Sequence, residues 1–237
     1  MISSDRYIRQ LPLLGIEGQR RLSNSSALVV GLGGLGSLAS MYLAGAGVGR
    51  LILVDFDTVS ISDLHRQLLY TTRDIGKSKV EVAERRLREI NPEVKIEAHQ
   101  TVLTKNEEAE ELVASVDVIV LAVDNMKTRV DVDELAAKYS KPIVNGGVDG
   151  WFGLVTTVVP GKTPRLAEIL NIRGLNPVSC VEGLCNAVIG PTVGVVASWQ
   201  ALDALRILAG LEPTLAGKLL VIDSSKGMIE IIPISSP

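Results

Sequence analysis

Two rhythms of apolar and polar positions alternate along the chain. Residues 27–30 and 51–54 are short, unbroken apolar runs of the kind buried on both faces of a sheet, and each predicts a strand. Between them, residues 37–46 read as a helix. Residues 77–90 place Val80, Ala83, Leu87 and Ile90 on one face and charges on the other, an amphipathic helix that Asn91-Pro92 stops. The alternation continues with a strand at 94–98, a helix at 107–114, a strand at 116–122, a helix at 131–139 and a further strand opening at 142–145. Strands separated by helices imply parallel pairing. After Gly146 the rhythm changes. Residues 153–159 read as strand, and the Pro- and Gly-rich passage 160–177 as a loop with one helical turn. Residues 193–208 form an apolar helix ended by Gly210, and 219–222 with 229–232 form a closing hairpin. The pattern predicts an α/β fold: a doubly wound, mainly parallel sheet continued by antiparallel C-terminal strands.

Composition changes this picture little. Of 237 residues, 46% are hydrophobic and 22% charged, enough for a full core, and the net charge of −3 gives no global pull towards nucleic acid or an anionic membrane. The first ten residues carry Asp5, Arg6 and Arg9 with no apolar run, and no apolar stretch is long enough to span a bilayer, so a cytoplasmic protein is expected. The two cysteines, Cys180 and Cys185, are too few for a four-cysteine zinc site and are expected to be reduced.

Candidate chemistry begins at a glycine cluster. Gly31, Gly33 and Gly36, with Gly34 between them, form G-x-G-x-x-G at a strand-to-helix junction, where small residues let backbone N–H groups approach a phosphate at the helix N-terminus. Asp55 ends the next strand, placed to accept hydrogen bonds from ribose hydroxyls, and the whole is the Rossmann-like nucleotide arrangement. NAD enzymes share this loop, so it does not separate hydride transfer from nucleotidyl transfer. Further on, residues 62–67 read Ser-Asp-Leu-His-Arg-Gln, Lys79 opens a helix, and Asp124-Asn125 ends the fourth strand. In a doubly wound sheet these groups gather at the carboxyl ends of the strands. Fixed cations there would stabilise the charge that builds on a departing pyrophosphate. His65 and His99 pair with no nucleophile.

Arg6-Tyr7-Ile8-Arg9-Gln10, residues 31–36, Asp55-Phe56-Asp57, residues 63–67, residues 76–79, Asn91-Pro92 and Asp124-Asn125 follow one another in an order that resembles the ThiF, MoeB and HesA group of ubiquitin-activating-type adenylyltransferases, over nearly the whole chain. The resemblance implies that Asp55 holds the ribose, that Arg66, Gln67 and Lys79 hold the phosphates, and that Asp124 serves Mg²⁺. Asp57, Asp63 and Asn125 join the nucleotide site. Arg9 is similar to the family's arginine finger, which reaches the γ-phosphate from the other subunit of a homodimer. By the same resemblance, ATP adenylates the C-terminal glycine of a small ubiquitin-like sulfur-carrier protein ending in Gly-Gly. Sulfur transfer then follows in thiamine, molybdenum-cofactor (molybdopterin) or tRNA-thiolation pathways, with a sulfurtransferase as a further partner. One adenylation domain would fill residues 1–237. Its nucleotide-binding half ends near 146, its carrier-binding half covers 147–237, and its crossover loop covers 160–186.

The chain departs from the family in three places. Asp63 stands where relatives carry Asn, adding a carboxylate beside the triphosphate. The two Cys-x-x-Cys pairs of many relatives are missing. The first pair would fall near Arg165 and Glu168, and packing or an ion pair would replace the zinc. Cys180 and Cys185 both approximate the position of the family's thiol. An NAD-dependent oxidoreductase and a non-catalytic nucleotide- or carrier-binding relative stay open as alternatives. Asp124 also has a bland role available, as the cap of the helix that follows it.

Overall fold

The computed structural model describes residues 4–171 and 187–234. A short helix, α1 (Ser4–Tyr7), leads into α2 (Leu11–Asn24), which is kinked where Gly15 takes φ +71°. The chain continues through β1 (Ser26–Val30), α3 (Gly34–Ala46) and β2 (Arg50–Val54) to two 3₁₀ turns, Ile61–Asp63 and Thr72–Asp74. Next come α4 (Lys79–Ile90), β3 (Lys95–His99), α5 (Glu107–Ala114), β4 (Val118–Leu121), α6 (Met126–Lys138), β5 (Ile143–Asp149) and β6 (Phe152–Val158). The last elements are α7 (Leu166–Asn171), α8 (Gly190–Leu208), β7 (Lys218–Asp223) and β8 (Met228–Pro233).

The strands form one eight-stranded sheet in the order β3-β2-β1-β4-β5-β6-β7-β8. Pairing is parallel from β3 across to β5 and antiparallel from β5 to β8, as the change of rhythm after Gly146 predicts. Successive residues of a strand point to opposite faces, so the continuous apolar runs supply two cores at once. Ala27, Val29, Leu51 and Leu53 pack in the layer that holds Ala39, Leu43, Ala83, Leu87, Val196 and Ala204 of α3, α4 and α8. Leu28, Val30, Ile52 and Val54 pack on the other side with Leu112, Val113 and Leu135 of α5 and α6.

Three elements differ from expectation for identifiable reasons. Helix α2 goes unannounced because Pro12, Gly15 and Gly18 interrupt its apolar period. Helix α6 begins at Met126 rather than 131, because Asn125 caps it and the buried Arg129 puts a charge where the apolar pattern would show a hydrophobe. Strand β5 runs on through two glycines to Asp149. Gly146 is required there, since a Cβ would lie 2.4 Å from Gln200 Cδ.

The single turn expected within 160–177 is α7. Arg165 and Glu168, near the expected place of the first cysteine pair, are tied to this turn. Arg165 pairs with Asp133 of α6 at 3.0 Å, and its backbone N–H donates to Glu168 at 3.0 Å. The same Asp133, 2% exposed, accepts the backbone N–H groups of Leu166 and Ala167. No helix among the described residues is long and apolar enough to cross a membrane.

Candidate functional site

Strand β1 lies between β2 and β4, and the connections leaving β1 and β4 run to opposite sides, so the carboxyl ends of these strands flank a crevice. The glycine loop occupies the end of β1. Gly31 takes φ +87°, and a Cβ there would meet the Ala122 carbonyl oxygen at 2.7 Å. At Gly36 a Cβ would sit 1.8 Å from the Gly31 carbonyl oxygen, which is what lets α3 pack so closely on the strand. Gly33 differs: a Cβ there would meet only Gln67 Nε2, at 3.7 Å, so the N-terminus of α3 opens onto space. No side chain caps that helix end, leaving its first N–H groups to an outside acceptor.

Asp55 braces this loop. One carboxylate oxygen accepts the Leu32 N–H at 2.6 Å and the other the Asp57 N–H at 2.8 Å, and each oxygen keeps a lone pair for a hydroxyl. From the far side the Tyr70 hydroxyl donates to the Leu32 carbonyl at 2.8 Å. Burial first, then the charges of Asp55 and Asp63, raise the Tyr70 pKa far above the usual phenol range, so it remains a donor. Nothing in the spacing of Tyr70 pointed to this role.

The basic residues converge beside the loop. Lys79, 5% exposed, holds its ammonium 3.2 Å from Asp57 and 3.8 Å from Asp63. Arg66 donates to the Ser62 carbonyl at 2.8 Å and lies 3.4 Å from Asp63, with His65 Nε2 2.8 Å from its guanidinium. Its stem runs beside Gly34, where a Cβ would be 3.5 Å from Arg66 Cγ. Asp63 is therefore compensated in place. It accepts the Ser60 N–H at 3.0 Å to cap its own 3₁₀ turn, takes Gln67 Nε2 at 2.9 Å, and faces both cations. Asp57 and Asp63 thus act on the site chiefly by fixing Lys79 and Arg66. His65 is exposed, and His99 lies 3.5 Å from Glu108.

At the end of β4 the two adjacent polar positions, Asp124 and Asn125, separate. Asn125 is the helix cap, its Oδ1 accepting the Thr128 N–H at 2.8 Å. Asp124 is exposed and makes no hydrogen bond or close ion pair among the described residues, so capping does not explain it. Beneath it lies Arg129, which sequence reasoning did not single out. Its guanidinium donates to Asn145 Oδ1, to the Val123 carbonyl and, at 3.0 Å, to the Gly146 carbonyl. Burial lowers its pKa to about 10, partly offset by the charge of Asp124, so it stays cationic at neutral pH. The signal available was spacing: Arg129 is one turn beyond Asn125 on the same helix face.

Arg9 stands apart from this cluster. Tyr7 packs its ring against Gly47, where a Cβ would lie 2.5 Å from the ring, and shares hydrogen bonds with Asn91 and Glu93. Gln10 donates to the Ala46 carbonyl at 2.8 Å. Both anchors are at the C-terminal end of α3, whereas the glycine loop is at its N-terminal end, roughly 18 Å away for a helix of this length. The Arg9 side chain is exposed and without a partner among the described residues. Cys180 and Cys185 lie outside the described residues.

Fold and site define a doubly wound α/β protein with its polar cluster at the switch point of the sheet. The chain belongs to the ThiF family, which it matches over residues 5–237. It is 38% identical over 222 residues to the sulfur carrier protein ThiS adenylyltransferase of Escherichia coli, covering 92% of this chain and 86% of that protein. It is 38% identical over 235 residues to the adenylyltransferase and sulfurtransferase MOCS3 of Drosophila yakuba, covering 98% of this chain but only 51% of that longer protein. Among solved structures, Escherichia coli MccB with MccA-N7isoASN has the same fold, with a TM-score of 0.86 at 22% identity over 100% of this chain and 73% of that one.

Proposed function

We propose that this chain uses ATP to adenylate the C-terminal carboxylate of a small ubiquitin-like sulfur-carrier protein, preparing it for thiocarboxylate formation. The observation that carries the reading is the convergence of Arg66 and Lys79, each held by carboxylates, beside the uncapped N-terminus of α3, with Asp124 exposed at the end of β4 and without a hydrogen bond among the described residues. The names of the curated relatives point to the same activity. Membership of the ThiF family sets aside hydride transfer, which the glycine loop alone left open.

The residues present fit a nucleoside triphosphate. Gly33 leaves the space a Cβ would fill, the first N–H groups of α3 suit phosphate oxygens, and Asp55 retains lone pairs for the ribose. In the reaction a carboxylate oxygen of the carrier attacks the α-phosphorus, and the bond to the bridging oxygen breaks as pyrophosphate leaves. No proton moves, because the carboxylate is already ionised at neutral pH. Lys79 and Arg66 stabilise the charge that grows on the outer phosphates and need no reorganisation, being fixed beforehand by Asp57 and Asp63. Asp124, with Gln67 and Asn125 beside the cluster, completes the nucleotide site, and Mg²⁺ on Asp124 would supply further charge neutralisation. Arg9 reaches the γ-phosphate of a second copy, a role its distance from its own glycine loop supports. The carrier tail lies along residues 147–159; residues 172–186 of the crossover loop lie outside the described residues. Cys180 or Cys185 and a separate sulfurtransferase are candidates for the later sulfur chemistry, and the setting is cytoplasmic.

The test is ATP–pyrophosphate exchange with purified carriers ending in Gly-Gly. Exchange is expected with at least one, and Lys79→Ala should lower kcat/KM by roughly a hundredfold or more. Binding of Mg·ATP without exchange on any such carrier would overturn the reading in favour of a scaffold.

A further inference from the structure

Arg129 carries a charge that the arrangement of Lys79 and Arg66 does not explain. It is 9% exposed, yet among the described residues its hydrogen-bond partners are the Asn145 amide oxygen and the carbonyls of Val123 and Gly146, none of them charged. Taking a cation out of water without a contacting carboxylate costs several kcal/mol. A hydrophobe would fill the space beneath α6 at lower cost. What the guanidinium supplies instead is a rigid, planar fork. One arm holds the carbonyl of the residue immediately before Asp124, and the same fork holds the carboxyl-terminal half of β5 at Asn145 and Gly146. The fork spans a gap in the sheet. Parallel pairing of β4 with β5 stops at Leu121 and Asn145; past that point the Ala122 N–H still donates to the Val30 carbonyl of β1 at 2.9 Å, but on the β5 side no ladder hydrogen bond fixes the turn that bears Asp124. Asn125 caps α6 and holds only the helical side of the turn.

Building on the proposed adenylation, we infer that Arg129 is the positioning residue for Asp124: it ties the turn beyond β4 to the end of β5 and so aims the exposed carboxylate at the metal-bound phosphates. Asp124 would do the binding, and Arg129 acts only through it. A link of this kind between a metal ligand and the group that orients it is worth roughly 10–100-fold in metal affinity.

The experiment measures ATP binding by isothermal titration calorimetry across a magnesium series, with thermal melts alongside, for the wild-type chain, Arg129→Lys, Asp124→Ala and the double variant. Lysine keeps the charge but cannot bridge three acceptors in one plane. The half-saturating magnesium concentration should rise roughly tenfold in Arg129→Lys, with metal-free ATP binding changed less than about twofold. In the Asp124→Ala background the lysine substitution should add nothing, because the route of its effect is gone. Magnesium dependence within about twofold of wild type, or an equal loss in the Asp124→Ala background, overturns the inference. Should Arg129→Lys fail to fold, Asn145→Ala withdraws one arm of the fork. It should raise the magnesium requirement about two- to threefold, and an unchanged requirement overturns the inference equally. Calorimetry needs no carrier, so wild-type chain that binds Mg·ATP normally but exchanges no pyrophosphate sinks the proposed function while leaving this inference to its own result. Wild-type chain that binds no ATP sinks both.

Discussion

Asp63 places a negative charge next to where triphosphate would bind, and three neighbours meet it: Arg66, Lys79 and the Gln67 amide. Its capping of the Ser60 N–H could be done equally by asparagine, so Asp63→Asn keeps the turn while removing the charge and the oxygen that accepts from Gln67 Nε2. The KM for ATP should fall about two- to fivefold in steady-state kinetics, since a charge this close and largely dehydrated still acts on the phosphates. A rise in KM would mean that the carboxylate helps to hold the nucleotide through the two cations. Gly36 is constrained by sterics alone. A methyl group 1.8 Å from a backbone carbonyl oxygen has no room, so Gly36→Ala should cost at least ~3 kcal/mol in denaturant unfolding, or leave no folded protein.

The outer parallel strands illustrate the next scale. Arg50 of β2 is in register with Lys95 of β3 and reaches diagonally to Glu97, two residues further on, in a two-pronged ion pair at 2.7 and 3.0 Å. The Arg50 hydrogen bonds, with help from Lys95, hold the Glu97 carboxyl at about 2, below its ordinary 4.5. A carboxyl depressed on folding contributes stability above its unfolded pKa and loses it as pH falls through the folded value. This pair should therefore stop contributing between about pH 4.5 and 2. Both side chains are about a quarter exposed, which limits the effect to about 1 kcal/mol. Urea unfolding at pH 7 and at pH 3 checks it: Glu97→Gln should lose stability at the higher pH and differ less from wild type at the lower. Helix α3 is the other decisive element. Its N-terminus opens at the glycine loop, where the proposed phosphates would sit, while its C-terminus, through Gly47, Ala46 and Ala44, receives Tyr7, Gln10 and Asn91.

That separation has its consequence in the whole molecule. An arginine held at one end of α3 cannot serve a site at the other end of the same helix, so the finger proposed for Arg9 requires a target on a second copy. Mixing Arg9→Ala chains with Lys79→Ala chains should then restore activity that neither has alone. If the chains exchange freely, half the dimers are mixed and each holds one complete site, giving about a quarter of wild-type exchange activity. No recovery on mixing, with subunit exchange verified by native mass spectrometry, would place Arg9 outside the reaction.

Much of this architecture was legible in the order of residues. Apolar runs such as 27–30 and 51–54 mark strands buried on both faces, because alternate side chains enter two cores, and α5 falls at Glu107–Ala114 as its periodicity predicts. The glycine loop was equally legible, since close packing of α3 on β1 leaves no room for a Cβ at Gly36. The convergence of Asp55, Arg66 and Lys79 follows from their places at or beside the carboxyl ends of strands.

Local pattern by itself determined the alternation of elements, the parallel sheet and the glycine loop, because periodicity and steric exclusion act between near neighbours. Only the tertiary structure decided that Asn125 rather than Asp124 caps α6, that Asp63 is neutralised in place, that Arg129 lies beneath the cleft and that Arg9 is anchored far from its own glycine loop. Each of these depends on through-space distances between side chains or on the geometry of a single turn, and neither is written in the spacing of residues along the chain.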